Sequence, residues 1–316
     1  MPNKIARYCR AGIRYLTDKD YRFLIHSSDK KYQKMDDESY LKLKFKASMG
    51  YELDLKNPRT FNEKLQWLKL YDHRPEYTQM VDKYRVREII ASTIGEEYLI
   101  PLLGVWDDPD DIPFADLPNQ FVLKCNHNSG TGMCICRDKS ALDIEKVKAD
   151  LRRGLAQDYF ISGREWPYKD VPRKIICEKY MEDPNPENRG LNDYKFFCFG
   201  GKVKFFKVDF DRFIEHHANY YSPEGKLLGF GEADYPPKPD RGLVLPDNLA
   251  EMERLAEILA KDYPFLRVDF YSVAGKIYFG ELTLFPTSGF GKWTDSSWDL
   301  RIGNWIKLPG RIEGNN

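Results

Sequence analysis

Residues 266–285 read LRVDFYSVAGKIYFGELTLF, two β-rich runs meeting at a small, glycine-containing turn. Alternation of apolar and polar residues in each run predicts a hairpin. A three-residue loop Val273-Ala274-Gly275, with Gly275 left-handed, makes residues 272 and 276 the flanking pair. Arg267, Asp269, Phe279, Glu281 and Thr283 then share one face, and Asp269 and Glu281 lie diagonally across the ladder. Two neighbouring carboxylates repel and call for a cation, and all-oxygen ligation with room for phosphate oxygens suits Mg²⁺ or Mn²⁺. A two-residue loop at Ala274-Gly275 would place the acids on opposite faces. By pattern alone, two solvent-facing carboxylates on an amphipathic hairpin explain the stretch equally well.

A second stretch, FVLKCNHNSGTGM at 121–133, runs from a strand into a small polar loop. Lys124 stands at the strand end, and Ser129, Gly130, Thr131 and Gly132 present unobstructed backbone N–H groups of the kind that meet phosphate. A surface lysine beside an ordinary loop is the plainer alternative. No G-x-x-x-x-G-K-[ST] or G-x-G-x-x-G pattern occurs. The hydrolase signatures G-x-S-x-G and H-E-x-x-H are absent too.

Composition narrows the field. The 316-residue chain has 49 Lys plus Arg and 49 Asp plus Glu, so no basic field exists to hold nucleic acid. Length allows about two domains on the usual prior of ~100–200 residues each. The six cysteines lack zinc-site or disulfide-scaffold spacing and read as reduced thiols. No apolar run is long enough to span a bilayer, and the basic start at residues 4–14 is either a peripheral membrane contact or a solvated helix face. A cytoplasmic protein is expected.

Along the chain, residues 1–57 form a helical accessory region. Apolar spacing from Phe61 to Ile94 predicts two helices broken at His73-Arg74-Pro75. A Pro- and Asp-rich connection follows at 100–121, a loop or short strand and a domain border. Helices are expected at 141–160 and 246–263, the latter capped by Asp247 and burying Leu249, Met252, Leu255, Ile258 and Leu259. A strand at 174–181 and a hairpin turning at Gly200-Gly201 complete an α+β or α/β pattern.

The segments FNEKLQWLKLYD, DKYRVRE, FVLKCNHNSGTGM, EKYM, DYKFFCFGGKVK, RVDFY and FGELT, in this order over residues 58–308, resemble the ATP-grasp superfamily and within it the TupA-like group of bacterial polysaccharide and teichuronopeptide biosynthesis proteins. The resemblance implies ATP clasped between two α+β subdomains: a helical segment at 58–112, a small subdomain at 113–182 carrying the lid loop, and a large one at 183–316 carrying the metal. It implies that Lys83 and Lys124 bind phosphates and that Glu178, Lys179, Tyr180 and Met181 form the adenine hinge. Asp193 resembles the ribose-binding acid, Lys195 a phosphate- or substrate-facing cation, and Arg267 the arginine that steadies the phosphoryl group. Asp269 and Glu281 match the Mg²⁺ carboxylates, with Thr283 where better-known members carry asparagine. Substrate candidates are Arg212, His216, Asn219, Ser288 and Gly289. The implied reaction is ATP-dependent carboxylate–amine ligation on a small molecule or glycan; a kinase on the same scaffold and a polysaccharide glycosyltransferase are the alternatives.

Overall fold

The computed structural model describes residues 12–183, 190–211 and 215–311. Arg212, Cys9 and the basic residues 4–11 lie outside them. Two sheets organise the chain. The smaller has the order β1-β4-β2-β3, from Leu102–Trp106 (β1), Phe121–Cys125 (β2), Met133–Cys136 (β3) and Ile175–Lys179 (β4). The larger has the order β7-β6-β5-β8-β9, from Asp193–Phe199 (β5), Lys202–Phe210 (β6), His217–Tyr221 (β7), Phe265–Val273 (β8) and Lys276–Thr283 (β9). Every pairing is antiparallel. β1 precedes residue 113, where the sequence put the start of the small subdomain, yet it is an edge strand of that sheet, paired with β4. Its pairing partner lies about 70 residues on, so local pattern does not reveal it.

Alternation along β5 separates the faces of the large sheet. Tyr194, Phe196 and Cys198 point one way, and Cys198 Sγ reaches the Ala256 carbonyl of the helix Leu249–Ala260 at 3.8 Å. That helix buries Met252, Leu255, Ala256, Leu259 and Ala260, whereas Ile258 is 37% exposed. Its N-cap is Asn248 rather than Asp247, and no side chain caps it. On the other face Phe197, Phe199, Phe205 and Phe265 form an aromatic half that meets Phe61, with ring centroids of Phe61 and Phe265 5.1 Å apart. The remaining half of this face carries the charges. The Gly200-Gly201 turn is left-handed at both residues (φ 55° and 78°), as that hairpin requires.

Helix Phe61–Tyr71 starts with a capping box between Thr60 and Glu63. The expected second helix is two, Tyr77–Val81 and Val86–Thr93, because Asp82 leaves helical geometry and its Oδ1 accepts from the Tyr84 N–H at 2.9 Å and the Asn126 side chain at 2.7 Å. This break sets Lys83 beside the end of β2: its N–H donates to the Asn126 carbonyl at 3.1 Å.

Five of the cysteines are free thiols. Among the described residues no helix is long and apolar enough to cross a membrane. Helix Ile144–Ala156 packs on the loop after β2. A Cβ on Gly132, whose φ is +70°, would stand 2.8 Å from the Gly154 Cα and 2.9 Å from Cys125 Sγ. Gly132→Ala is therefore expected to cost about 1–3 kcal/mol by overpacking and backbone strain, measured by urea unfolding. Gly130→Ala, in open space but also at positive φ, should cost only about 1 kcal/mol. Equal costs would show that the loop and helix part freely.

Candidate nucleotide and metal site

Antiparallel register lines up one row across the large sheet: Tyr220 on β7, Lys207 on β6, Lys195 on β5, Asp269 on β8 and Glu281 on β9. Next to it runs a second row with Ala218, Asp209, Asp193 and Tyr271. Asp269 and Glu281 do share a face, but not through the expected loop. The turn has two residues, Ala274 (φ 50°) and Gly275 (φ 76°), which alone would set the acids on opposite faces. A bulge between Asp269 and Phe270 then inserts Gly280 and restores the parity, making Asp269 and Glu281 direct partners. Phe279 pairs with Phe270 and so leaves the charged face for the apolar one. Glycine suits the bulge, since a Cβ at Gly280 would lie 3.1 Å from the Asp269 carbonyl oxygen.

Arg267 clasps both acids. Its Nε donates to Asp269 Oδ1 and its Nη2 to Asp269 Oδ2 and Glu281 Oε1, all at 2.7 Å. Lys195 donates to Asp269 Oδ2 at 2.6 Å and to Asp193, with Asp209 3.6 Å away. Burial opposes the charge on Lys195, yet Asp193 and Asp269 hold its pKa above the ordinary lysine value. Burial pushes Asp269 up to about 6 against Arg267 and Lys195. Burial also works to raise Glu281, but Arg267, Lys195 and Lys83 outweigh it and hold Glu281 at about 2. The difference follows the neighbouring charges: Asp193 and Glu281 add to the rise of Asp269, whereas Lys83 adds to the fall of Glu281. In solvent access the two also differ, the Asp269 side chain being 1% exposed and that of Glu281 44%.

The donor set fits a hard cation. Asp193, Asp209, Glu232, Asp269 and Glu281 outnumber Lys195, Lys207 and Arg267 on this face, so it carries excess negative charge. Glu281 Oε1 accepts from Arg267 and, at 3.2 Å, from the Thr283 hydroxyl; Oε2 takes no hydrogen bond among the described residues. Among those residues no group of three or more His, Cys, Asp or Glu side chains forms a ready cage. Mg²⁺ suits such a site, because it keeps waters and takes one or two carboxylates together with phosphate oxygens.

The two lysines anticipated from the sequence come to the same region. Lys83 Nζ donates to the Asn128 carbonyl at 2.5 Å. Burial lowers its pKa; the charges of Glu281 and Glu178 oppose this and that of Lys124 adds to it, which places all four together electrostatically. Lys124 pairs with Glu178 at 2.7 Å, and Arg87 stands 3.6 Å from the other Glu178 oxygen. In this structure the Glu178 carboxylate thus braces a lysine instead of standing open. Ser129 and Gly130 are exposed, Thr131 is half-buried, and Gly132 anchors the loop's far end. Of the hinge segment, Lys179 is exposed and Tyr180 and Met181 half-buried.

Other candidates divide. Asn219 is not on the charged face: it pairs with Val208 and its amide holds the Lys238 backbone at 2.8 and 3.1 Å, a structural buckle. Thr287, Ser288 and Gly289 form a left-handed run (φ 49°, 53°, 66°). Lys69 grips the Ser288 carbonyl at 2.7 Å and Gln66 the Gly289 carbonyl at 2.6 Å. His216 donates to buried Asp209 at 3.1 Å. Sequence reading missed Lys207, Asp209, Arg87 and the clamp residues Gln66 and Lys69. For Lys207 and Asp209 the turn alone misleads: counting back from Gly200-Gly201 sets Phe206 and Val208 opposite Lys195 and Asp193, and a bulge between Phe197 and Cys198 shifts the register by one residue to bring Lys207 and Asp209 there instead.

The family model described as TupA-like ATPgrasp matches residues 63–307. Solved structures with detectable likeness include D-alanine–D-alanine ligase from Bacillus anthracis complexed with ATP (15% identity, TM-score 0.39, covering 65% of this chain and 54% of that one). D-Alanine-D-alanine ligase from Helicobacter pylori is another (13% identity, TM-score 0.41, 79% and 69%). A third is the ADP complex of PurK, N5-carboxyaminoimidazole ribonucleotide synthetase (13% identity, TM-score 0.41, 76% and 56%). The chain thus spans little more than half the length of the first and third. No curated protein matches. With most of its length, both sheets included, inside the family model, the chain belongs to the TupA-like ATP-grasp family.

Proposed function

We propose that this chain is an ATP- and Mg²⁺-dependent carboxylate–amine ligase that works through an acyl phosphate, in the making of a bacterial capsule or cell-surface polysaccharide. One observation carries the reading: Asp269 and Glu281 stand directly opposite one another on a cation-braced ribbon, with Glu281 electrostatically linked to Lys83, which is in turn linked to Lys124 of the smaller sheet. Asp269, Glu281 and the Thr283 hydroxyl would hold Mg²⁺, which supplies charge neutralisation at the phosphate oxygens. Lys83 and Lys124 bind the polyphosphate, with Ser129 to Gly132 folding over it. A substrate carboxylate attacks the γ-phosphorus and ADP leaves. Arg267 then faces the oxyanion as an amine displaces phosphate. Uronic-acid-type or amino-acid carboxylates and amino acids or amino sugars are the substrate classes.

The test is a panel of uronic acids and amino acids incubated with ATP and Mg²⁺, following phosphate release and product mass. Phosphate release that needs both a carboxylate and an amine, with a product lighter than their sum by one water, is the expected result. A phosphorylated product formed without any amine would replace the ligase by a kinase.

A further inference from the structure

The charged face continues past Lys195 into a cluster with no part in the chemistry above. Asp209 on β6 is 2% exposed, and its carboxylate lies 3.6 Å from Lys195 and 3.7 Å from Lys207. His216 Nε2 lies 3.1 Å from Asp209 Oδ1. Burial works to raise Asp209, but Lys207, His216 and Lys195 hold its carboxyl well below the usual range, so it is an ionised acceptor. A carboxylate only accepts, so Nε2 carries the hydrogen and the lone pair of the neutral ring sits on Nδ1. Nδ1 takes no hydrogen bond among the described residues. The Tyr235 ring, with its centroid 4.1 Å from that of His216, fixes the imidazole plane. Tyr235 in turn lies 5.8 Å from Lys207 Nζ.

All five histidines are among the described residues, and His216 differs from the rest in its partner. The side chains of Asp29 beside His26 and Glu215 beside His217 are 51% and 71% exposed, against 3% for Asp209. His73 stacks on Trp166, and His127 bonds the Gln157 carbonyl. A buried carboxylate that orients an imidazole and leaves its second nitrogen open is the arrangement of a base. Through Asp209 and Lys195 this one is tied to Asp269 by successive contacts of 3.1, 3.6 and 2.6 Å. The groups around the ring are Asp209, Lys207 and Lys195 from the sheet, Tyr235 from the loop packed on it, and the pair of Glu215 with Lys238 at the rim.

We propose that His216, oriented by Asp209, is the base that deprotonates the incoming nucleophile. The inference rests on the ligase reading. An acceptor arriving as an ammonium gives one proton to Nδ1. Its freed lone pair forms the C–N bond to the acyl carbon. The C–O bond to phosphate breaks with its electron pair on phosphate, which carries away the second N–H proton.

The experiment takes the carboxylate and amine that release most phosphate in the panel above and adds hydroxylamine as a probe that traps acyl phosphate without needing a base. His216→Gln and Asp209→Asn are compared with the parent chain. The amide-to-hydroxamate ratio should fall about 10²-fold in His216→Gln, in kcat more than KM, and recover toward high pH as the amine deprotonates in solution. Asp209→Asn should fall in the same direction. Amide and hydroxamate falling together, or an unchanged ratio, would overturn the base assignment. Absence of hydroxamate in the parent chain would remove the ligase reading itself, and this inference with it.

Discussion

Asp269→Asn is expected to stop ATP turnover and to lower stability by about 3–5 kcal/mol, whereas Glu281→Gln is expected to stop turnover with a stability change below about 1 kcal/mol. The two acids are cross-strand partners held by one guanidinium, so a metal role predicts similar losses of rate from either, about 10³-fold or more. Their surroundings differ. Asp269 is 1% exposed and accepts from Arg267 at both oxygens and from Lys195 at one. An asparagine there keeps the shape, turns an N–H₂ toward cationic donors and leaves buried positive charge uncompensated. The Glu281 side chain is 44% exposed, so water can replace what its neutral analogue gives up. Steady-state phosphate release and chemical denaturation of both variants decide the matter. A Glu281→Gln protein with parental rates would remove the metal assignment, and an Asp269→Asn protein as stable as the parent would show that the ion network is slack.

Lys195→Met should have the second largest effect, and its size should depend on pH. In the parent chain Asp193, Asp209 and Asp269 all face Lys195 Nζ, within 3.6 Å, deep in the sheet face. Because its partners raise the folded-state pKa of Lys195, its contribution to stability is complete below the unfolded value of about 10.4 and is lost only as pH rises through the higher folded value. Asp209 behaves in the opposite sense: its lowered pKa stabilises above about pH 4 and is lost as pH falls. Removing the lysine leaves three carboxylates sharing one site, which raises their pKa values by mutual repulsion. The variant should therefore be destabilised by about 3–5 kcal/mol near pH 8 and recover part of that toward pH 5, while the parent, in which Asp269 also has a raised pKa, gains less over the same interval. Urea midpoints at the two pH values test this. A variant that is equally destabilised at both would locate the cost in lost packing instead of charge.

The charge network also shows which parts of the molecule were legible before folding. Alternation within DYKFFCF and RVDFY fixes that Asp193 and Lys195 share one face, and that Arg267 and Asp269 share one, because side-chain direction in a strand depends only on residue parity. Likewise the capping box at Thr60 and Glu63 and the cap at Asp143 are written in adjacent residues. The order of short motifs named the family, and the family model agrees over residues 63–307.

Across the last hairpin local pattern was insufficient. The acids face one another only because a two-residue turn and a bulge at Gly280 offset each other, and a bulge is a property of two paired strands, not of either run. The break at Asp82 depends on Asn126, 44 residues away, which decides where Lys83 points. The partnership of Glu178 with Lys124 and Arg87, and the clamp of Gln66 and Lys69 on the turn at 287–289, join segments that no local pattern links. The sequence by itself determined most of the strands, which residues share a face within each of DYKFFCF and RVDFY, and the family, since these follow from spacing along one chain. Tertiary structure alone decided which charges meet, because ion pairs in a buried face are set by register, bulges and burial, and these exist only once distant strands lie side by side.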